Sequence, residues 1–319
     1  MTEESAPHTP APRFKAQPIA PYRGRFAPSP TGPLHFGSLV AATGSFLQAR
    51  SGGGEWLVRI EDLDPPRTVA GAADCILRTL EEFGLTWDGV ASYQSRREAA
   101  YRDALARLQD LGAVYGCSCT RSEIADSSVR GIDGPVYPGT CRDARRTGRT
   151  LRVLTEDCEL VFRDLVQGEV RCALAREIGD FVVRRADGLH AYQLAAAVDD
   201  AEQGITEVVR GADLLYSTPR QIHLQKLLGL PTPGYAHLPL ATDCCGRKLS
   251  KQTGAAAVGG DDPVPVLIEV LRFLGQQVPE ALRDSDLTGF WRWAIEHWQV
   301  QRVPRQAPAV TGQANTDRR

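Results

Sequence analysis

The tightest constraint on the fold lies in one early stretch, where a stiff loop and a helix separate two short apolar segments. Residues 22–27, YRGRFA, read as a strand. They run into Pro28, Pro30, Gly32 and Pro33, whose fixed or permissive backbone angles favour turns and end regular structure. Residues 39–50 then read as a helix, which Gly52, Gly53 and Gly54 stop. Residues 56–60 form a second apolar strand with Glu61 at its end. Strand, crossover helix and strand in succession make the unit of a parallel sheet, so the fold class is α/β.

The rest of the chain extends this pattern and interrupts it once. Residues 68–83 predict a helix with Val69, Ala73, Ile76, Leu77, Leu80 and Phe83 on one face. Ser95, with Glu98 three residues on, predicts a capping box opening the next helix, whose stripe is Tyr101, Leu105, Leu108 and Leu111. Residues 116–147 lose periodicity and hold three cysteines, and 150–184 read as β-structure through LRVL, ELVF and DFVVRR. Alternation resumes with helix 192–203, strand 205–209, helix 214–228 and strand 235–240, and helices 264–274 and 286–298 close the fold. The expected division is a disordered tail (1–20), the first half of a sheet domain (21–115) and an inserted subdomain (116–184). The second half of the sheet domain (185–252), a helical part (253–301) and a polar tail (302–319) follow.

With 319 residues the chain can bury a large core and needs no disulfide framework. Its 39 acidic and 37 basic residues nearly cancel, to a net charge of -2, which excludes a wholesale basic coat but allows a local basic groove. No run of 18 apolar residues exists, so no membrane span is expected. The polar, proline-rich N-terminus lacks the apolar run of a secretory signal. A cytoplasmic monomer is the expectation, in which the eight cysteines are thiols or metal ligands rather than bridges.

Two segments carry the chemistry. RFAPSPTGPLHFGSL leads through His35, Phe36, Gly37 and Ser38 into a helix N-terminus, where unpaired amides and the helix dipole favour phosphate. His35 can hydrogen-bond a phosphate or stabilise charge developing on it. Gly37 lets a flat ring approach the backbone. Far along the chain, after a strand and the turn at residues 243–246, comes Lys248-Leu249-Ser250-Lys251-Gln252. Two lysines three apart on a loop can clamp a triphosphate whose charge grows during displacement.

This pair, in this order and spacing, resembles the HIGH and KMSKS signatures of class I aminoacyl-tRNA synthetases. RFAPSPTGPLHFG and the following IEDLDPPR narrow the resemblance to the glutamyl/glutaminyl branch, over residues 22–252. Ser38 stands where HIGH has its last histidine, and Gln252 where KMSKS has its last serine. The resemblance implies a Rossmann-type catalytic domain with an inserted zinc-containing, acceptor-binding-like subdomain and a short helical C-terminal part. It also implies activation of an amino acid by ATP with Mg²⁺ to an adenylate, then transfer to RNA. His35, Gly37, Ser38, Lys248, Ser250 and Lys251 would contact ATP, with His35, Lys248 and Lys251 catalytic.

Glutamate carries two carboxylates and an ammonium, so its site needs cations and an anion. Arg25 and Arg210, at strand ends, suit the carboxylates, which arginine grips in bidentate fashion. Glu61 suits the ammonium, and Tyr192 adds a hydroxyl. The same residues also have purely structural readings: an ion pair for Arg210, a helix cap for Tyr192, a Glu61–Arg67 pair. By resemblance the amino-acid site is Arg25, Phe26, Ala27, Pro28, Ser29, Glu61, Tyr192 and Arg210, and two arginines favour glutamate over glutamine.

Cys117, Cys119 and Cys141 offer three thiolates, a set that suits structural Zn²⁺. The fourth ligand is Tyr137, whose family equivalent supplies a phenolate oxygen, or a water; ordinary free thiols are the alternative. Cys75, Cys158, Cys172, Cys244 and Cys245 read as structural. The stretch after Lys251 is too short for an anticodon-binding region. Together with the C-x-C…Y-x-x-x-C insertion, this resembles a family of short relatives of the glutamyl branch, in which activated glutamate goes to queuosine in the anticodon loop of tRNA(Asp). Three alternatives stay open: a minimal glutamyl-tRNA synthetase charging a tRNA 3′ end, a tRNA-independent adenylate-forming nucleotidyltransferase, and a paralogue that only binds RNA or a partner.

Overall fold

The computed structural model describes residues 21–144, 147–242, 257–259 and 262–305. Lys248, Ser250 and Lys251, with Cys244, Cys245, Gln252 and residues 1–20 and 306–319, lie outside the described residues; the expected polar tail at 302 starts later, since Val303 is buried in the core. Strand β1 (Arg23–Phe26) leads through the proline loop to α1 (Phe36–Ser51) and back to β2 (Glu55–Ile60), which pairs with β1 in parallel. The helix starts three residues before the expected Leu39 because the His35 side chain caps it, Nδ1 accepting from the Ser38 amide at 3.3 Å. Its small residues let it pack closely on the sheet. A Cβ added at Gly44 would lie 2.5 Å from Leu238 Cδ1. Trp56 of β2 sits beneath it, fully buried, and donates from Nε1 to Ser45 Oγ.

Helix α2 (Ala72–Glu82) begins later than the periodicity predicts, and Val69 is exposed outside it. Strand β3 (Ser92–Tyr93) then adds to β2 in parallel. The expected capping box at Ser95 does not form. The Ser95 amide and hydroxyl donate to the Asp62 carboxylate at 2.8 and 2.6 Å, and a 3₁₀ turn intervenes before α3 (Glu98–Asp110). A carboxylate in the loop after β2 is reachable only through the tertiary fold, and Ser95 goes to it. The stripe of α3 also ends at Leu108, since Leu111 is exposed.

Strand β4 (Val114–Cys117) leads to α4 (Arg121–Ser127), where Thr120 and Glu123 do form a capping box. The hairpin of β5 (Val129–Gly131) and β6 (Gly134–Val136), the short helix α5 (Thr140–Asp143) and strand β7 (Thr150–Val153) follow. Next come β8 (Glu159–Asp164) and its antiparallel partner β9 (Gly168–Ala173), a strand the pattern reading left out. Strand β10 (Val182–Arg184) closes a small antiparallel sheet with β7 and β4.

The second βαβ run is α6 (Tyr192–Glu202), β11 (Glu207–Gly211), α7 (Thr218–Leu228) and β12 (Gly234–Leu238). Prolines trim it relative to expectation. The predicted helix 214–228 splits into a 3₁₀ turn and α7, because Pro219 lacks an amide and fits only the first helical turn. The predicted strand 235–240 stops at Leu238, before Pro239. Helices α8 (Pro263–Phe273) and α9 (Leu287–His297) cover α1. No helix among the described residues is long and apolar enough to cross a membrane.

Strand β11 lies along β1, the Thr206 amide donating to the Arg23 carbonyl at 2.9 Å and the Arg23 amide to Thr206 Oγ1. These bonds set two ladders edge to edge, β3-β2-β1 on one side and β11-β12-β8-β9 on the other. Since α1 carries the chain from β1 to one side and the later half fills the other, the sheet has its switch point between β1 and β11, where open α/β sheets bind ligands. The β8–β9 hairpin belongs to this sheet although its sequence lies within residues 116–184.

A buried ionic cluster ties the two halves together. Asp200, near the end of α6, accepts from Arg25 Nε at 3.0 Å and Nη2 at 3.4 Å, and from Arg59 Nη2 at 2.8 Å. Its neighbour Asp199 accepts from Arg97, Gln94 and Tyr101. Burial alone would raise the Asp200 carboxyl, but the guanidiniums of Arg25 and Arg59 hold it down to about 2. A depressed folded-state value contributes stability above the unfolded pKa near 4, lost as pH falls toward 2. Asp200→Asn leaves two buried guanidiniums without their shared carboxylate. It is expected to destabilise the protein by roughly 3 kcal/mol or more and to flatten the acid limb of the stability curve. Denaturant titrations from pH 7 to pH 3 measure both, and a loss under about 1 kcal/mol would show the cluster to be dispensable.

Candidate active site

The C-terminal ends of β1, β11 and β12, the proline loop and the start of α1 surround a cavity of about 560 Å³, within the usual range for small-molecule sites. Of the residues singled out from sequence, Arg25, Phe26, Ala27, Pro28, Ser29, His35, Gly37, Ser38, Tyr192 and Arg210 all line it. Glu61 does not line it but feels the charge of Arg25 and acts on the Tyr192 phenol, both of which do. Lys248, Ser250 and Lys251 lie outside the described residues. Both flanks of that segment, however, meet the site: Ala241 lines the cavity, and Ala257 forms a β-bridge with His35.

The α1 end of the cavity is organised by His35. Because Nδ1 accepts the Ser38 amide, the proton of the neutral ring is on Nε2. The amides of Phe36 and Gly37, in the first turn, have no intrahelical acceptor by position. This end of the site therefore presents hydrogen-bond donors and a positive dipole, which suits phosphate.

At the strand ends the two arginines differ. Arg25 is 2% exposed and spends Nε and Nη2 on Asp200, so its charge is largely met within the protein. Its Nη1 makes no hydrogen bond among the described residues. Arg210 is 5% exposed and has no carboxylate partner among the described residues. Its donors go to uncharged groups: His237 Nε2 at 3.1 Å, Tyr192 Oη at 3.2 Å, Thr218 Oγ1 at 2.9 Å and the Leu214 carbonyl at 3.3 Å. Among the described residues the structural ion pair considered for Arg210 is thus not found, and a buried cation faces the cavity with no counter-ion from them.

Glu61 contacts Arg59 at 3.6 Å rather than Arg67, which pairs with Asp64. One Glu61 oxygen is buried with no hydrogen-bond donor. Burial pushes the carboxyl up to about 7, against the pull of Arg59 and Arg25. Tyr192, the first residue of α6, has its phenol raised by burial while Arg210 opposes the shift.

Away from the cavity, Cys117 at the end of β4, Cys119 after it and Cys141 in α5 bring their sulfurs within 4.8 Å of one another. Tyr137 Oη lies 3.5 Å from the sulfurs of both Cys117 and Cys119. Metal–ligand bonds of about 2.0–2.3 Å give tetrahedral edges of about 3.5–3.8 Å, so the donor set fits a zinc-sized ion. The Cys141 amide donates to Tyr137 Oη at 2.8 Å, and the Arg152 guanidinium lies 4.0 Å from the ring centroid, both favourable to negative charge on that oxygen. Gly148 lets the returning chain pass; a Cβ there would lie 2.1 Å from the Cys117 carbonyl oxygen.

Sequence reasoning missed the residues that hold the arginines: Asp200 for Arg25, and His237, Thr218 and Asp164 for Arg210. A signal existed. His237 and Arg59 are ionisable groups inside apolar strands, and the Asp199-Asp200 pair ends an alanine-rich helix.

Residues 22–287 match the family described as tRNA synthetases class I (E and Q), catalytic domain. A glutamyl-Q tRNA(Asp) synthetase of Dechloromonas aromatica is 59% identical over 90% of this chain and 97% of that protein. Its counterpart in Chromobacterium violaceum is 58% identical, over 89% and 95%. Among solved structures, a glutamate tRNA ligase from Elizabethkingia meningosepticum, in complex with its amino acid, superposes with a TM-score of 0.73. It is 23% identical and covers 89% of this chain, which spans 66% of the ligase, so that likeness is one of fold. The strand order, the cavity at its switch point and these relatives together place the chain in the class I tRNA synthetase family of the glutamyl/glutaminyl type, with the glutamyl-Q tRNA(Asp) synthetases.

Proposed function

We propose that the protein activates L-glutamate with ATP and Mg²⁺, without needing tRNA, and transfers it to queuosine in the anticodon loop of tRNA(Asp), as a cytoplasmic monomer. The observation that carries the amino-acid assignment is Arg210, a buried guanidinium at the cavity wall with no carboxylate partner among the described residues. A ligand side-chain carboxylate supplies the missing charge, with the Tyr192 hydroxyl beside it. Glu61, one of whose buried oxygens accepts no hydrogen bond, receives the ammonium. The glutamate α-carboxylate oxygen then attacks the α-phosphorus of ATP. The bond from that phosphorus to the β-bridging oxygen breaks, and pyrophosphate leaves. Amides at the start of α1 and His35 Nε2–H hold phosphate oxygens, while Lys248 and Lys251, from the segment whose flanks meet the cavity, offset the growing charge. In the second step an acceptor hydroxyl attacks the activated carbonyl and AMP departs. Cys117, Cys119, Cys141 and Tyr137 hold a structural Zn²⁺ that braces the small lobe around β4 to β7 for RNA.

Pyrophosphate exchange tests the amino acid: exchange is expected with glutamate and not glutamine, and equal rates would refute the assignment. Arg210→Leu should cut kcat/KM for glutamate by about 100-fold, the order expected when one partner of a buried charge pair is lost. For the acceptor, labelled glutamate should enter tRNA pools only where queuosine is present. Label on a 3′ terminal adenosine would instead make this a minimal glutamyl-tRNA synthetase.

The Glu61 assignment predicts a pH dependence. With its carboxyl raised to about 7, Glu61 is protonated and unable to hold an ammonium at lower pH. The KM for glutamate should therefore fall as pH rises from 6 to 8, and Glu61→Gln should abolish the trend; a slope unchanged by that variant excludes Glu61. For the metal, purified protein should contain one zinc per chain. Chelation should lower the melting temperature and tRNA glutamylation while sparing pyrophosphate exchange, and exchange lost in parallel would place the metal in the chemistry.

A further inference from the structure

Arg210 depends on a buried relay that reaches back to β8. His237, in β12, is fully buried, and its Nδ1 lies 2.6 Å from Asp164 Oδ2. Its Nε2 lies 3.1 Å from Arg210 Nε and 3.2 Å from Thr218 Oγ1. Arginine can only donate, so Nε2 must accept and the ring proton must be on Nδ1, donated to Asp164. Burial above all, with the positive charge of Arg210, keeps the imidazole uncharged, its pKa near 4 despite Asp164. Asp164 is itself held rigidly. Its other oxygen accepts the amides of Val166, Gln167 and His237 at 2.9, 2.8 and 3.1 Å.

We infer that His237 is a positioning residue for amino-acid selection: locked by Asp164 in the Nδ1–H tautomer, it fixes the guanidinium plane of Arg210 toward the cavity. This rests on the reading of Arg210 as the side-chain carboxylate partner. It goes beyond that reading by assigning specificity to residues that do not line the cavity. The relay also explains how the guanidinium is held there with no carboxylate among the described residues to neutralise it. A neutral acceptor directs the fork and leaves its charge for the ligand.

Asp164→Asn tests the tautomer. Three backbone amides require an oxygen at the Oδ1 position, so the new NH₂ must face His237 Nδ1. The ring must then carry its proton on Nε2, opposing Arg210 Nε–H. The KM for glutamate in pyrophosphate exchange should rise by about tenfold or more, the scale at which supporting hydrogen bonds tune a ligand-binding group. The KM for ATP should stay within about twofold, well below that scale.

A merely structural role would instead raise both KM values together, and that result overturns the inference. Should Asp164→Asn fail to fold, His237→Gln against His237→Leu decides it. The glutamine variant should be near native in KM for glutamate and the leucine variant raised; equal values overturn the inference. Arg210→Leu separates the two levels. If it leaves the KM for glutamate unchanged, the reading of Arg210 itself fails. If it raises that KM while Asp164→Asn and His237→Leu do not, only the relay fails.

Discussion

Two buried guanidiniums, met in opposite ways, organise the site. Arg25 ends β1 and is neutralised by Asp200, which also serves Arg59 on β2. That shared carboxylate joins α6 to both strands of the first half and positions β1 where the cavity begins. Arg210 lies near the end of β11 and, among the described residues, meets only neutral acceptors. A protein interior rarely leaves a buried cation without a counter-charge, because desolvation is costly unless something compensates it. The fold closes one such account internally and leaves the other open toward a cavity.

The sheet topology makes this asymmetry possible. The β1–β11 contact joins segments nearly the whole catalytic domain apart in sequence, and the ends of these strands carry the two arginines. Crossover helix α1 starts at the same edge, so its donor-rich end faces the same space. Cation, donor-rich helix end and the flanks of the lysine segment converge because the switch point of an open sheet brings strand C-termini and helix N-termini together.

The insertion is divided between two tasks. Its first part gathers three sulfurs and a phenol at one end of a small antiparallel sheet. Its β8–β9 hairpin instead extends the main sheet and delivers Asp164 to His237. Sequence position alone assigns both parts to one lobe. Hydrogen bonding gives the second to the catalytic sheet.

Local pattern was enough to determine the α/β class, the βαβ start, most helices and the run of residues that lines the cavity. Each depends on periodicity, proline and glycine punctuation, or residue types close in the chain. The cysteine cluster was legible too, since its members fall within one short segment. Pairing decided the rest. Ser95 took a carboxylate from a neighbouring loop instead of a capping box, β9 was recognised only by its partner, and the difference between Arg25 and Arg210 arose from Asp200, His237 and Asp164. A side chain's charge is written in the sequence, but whether that charge is cancelled depends on groups within a few ångströms, and only the folded chain brings those together.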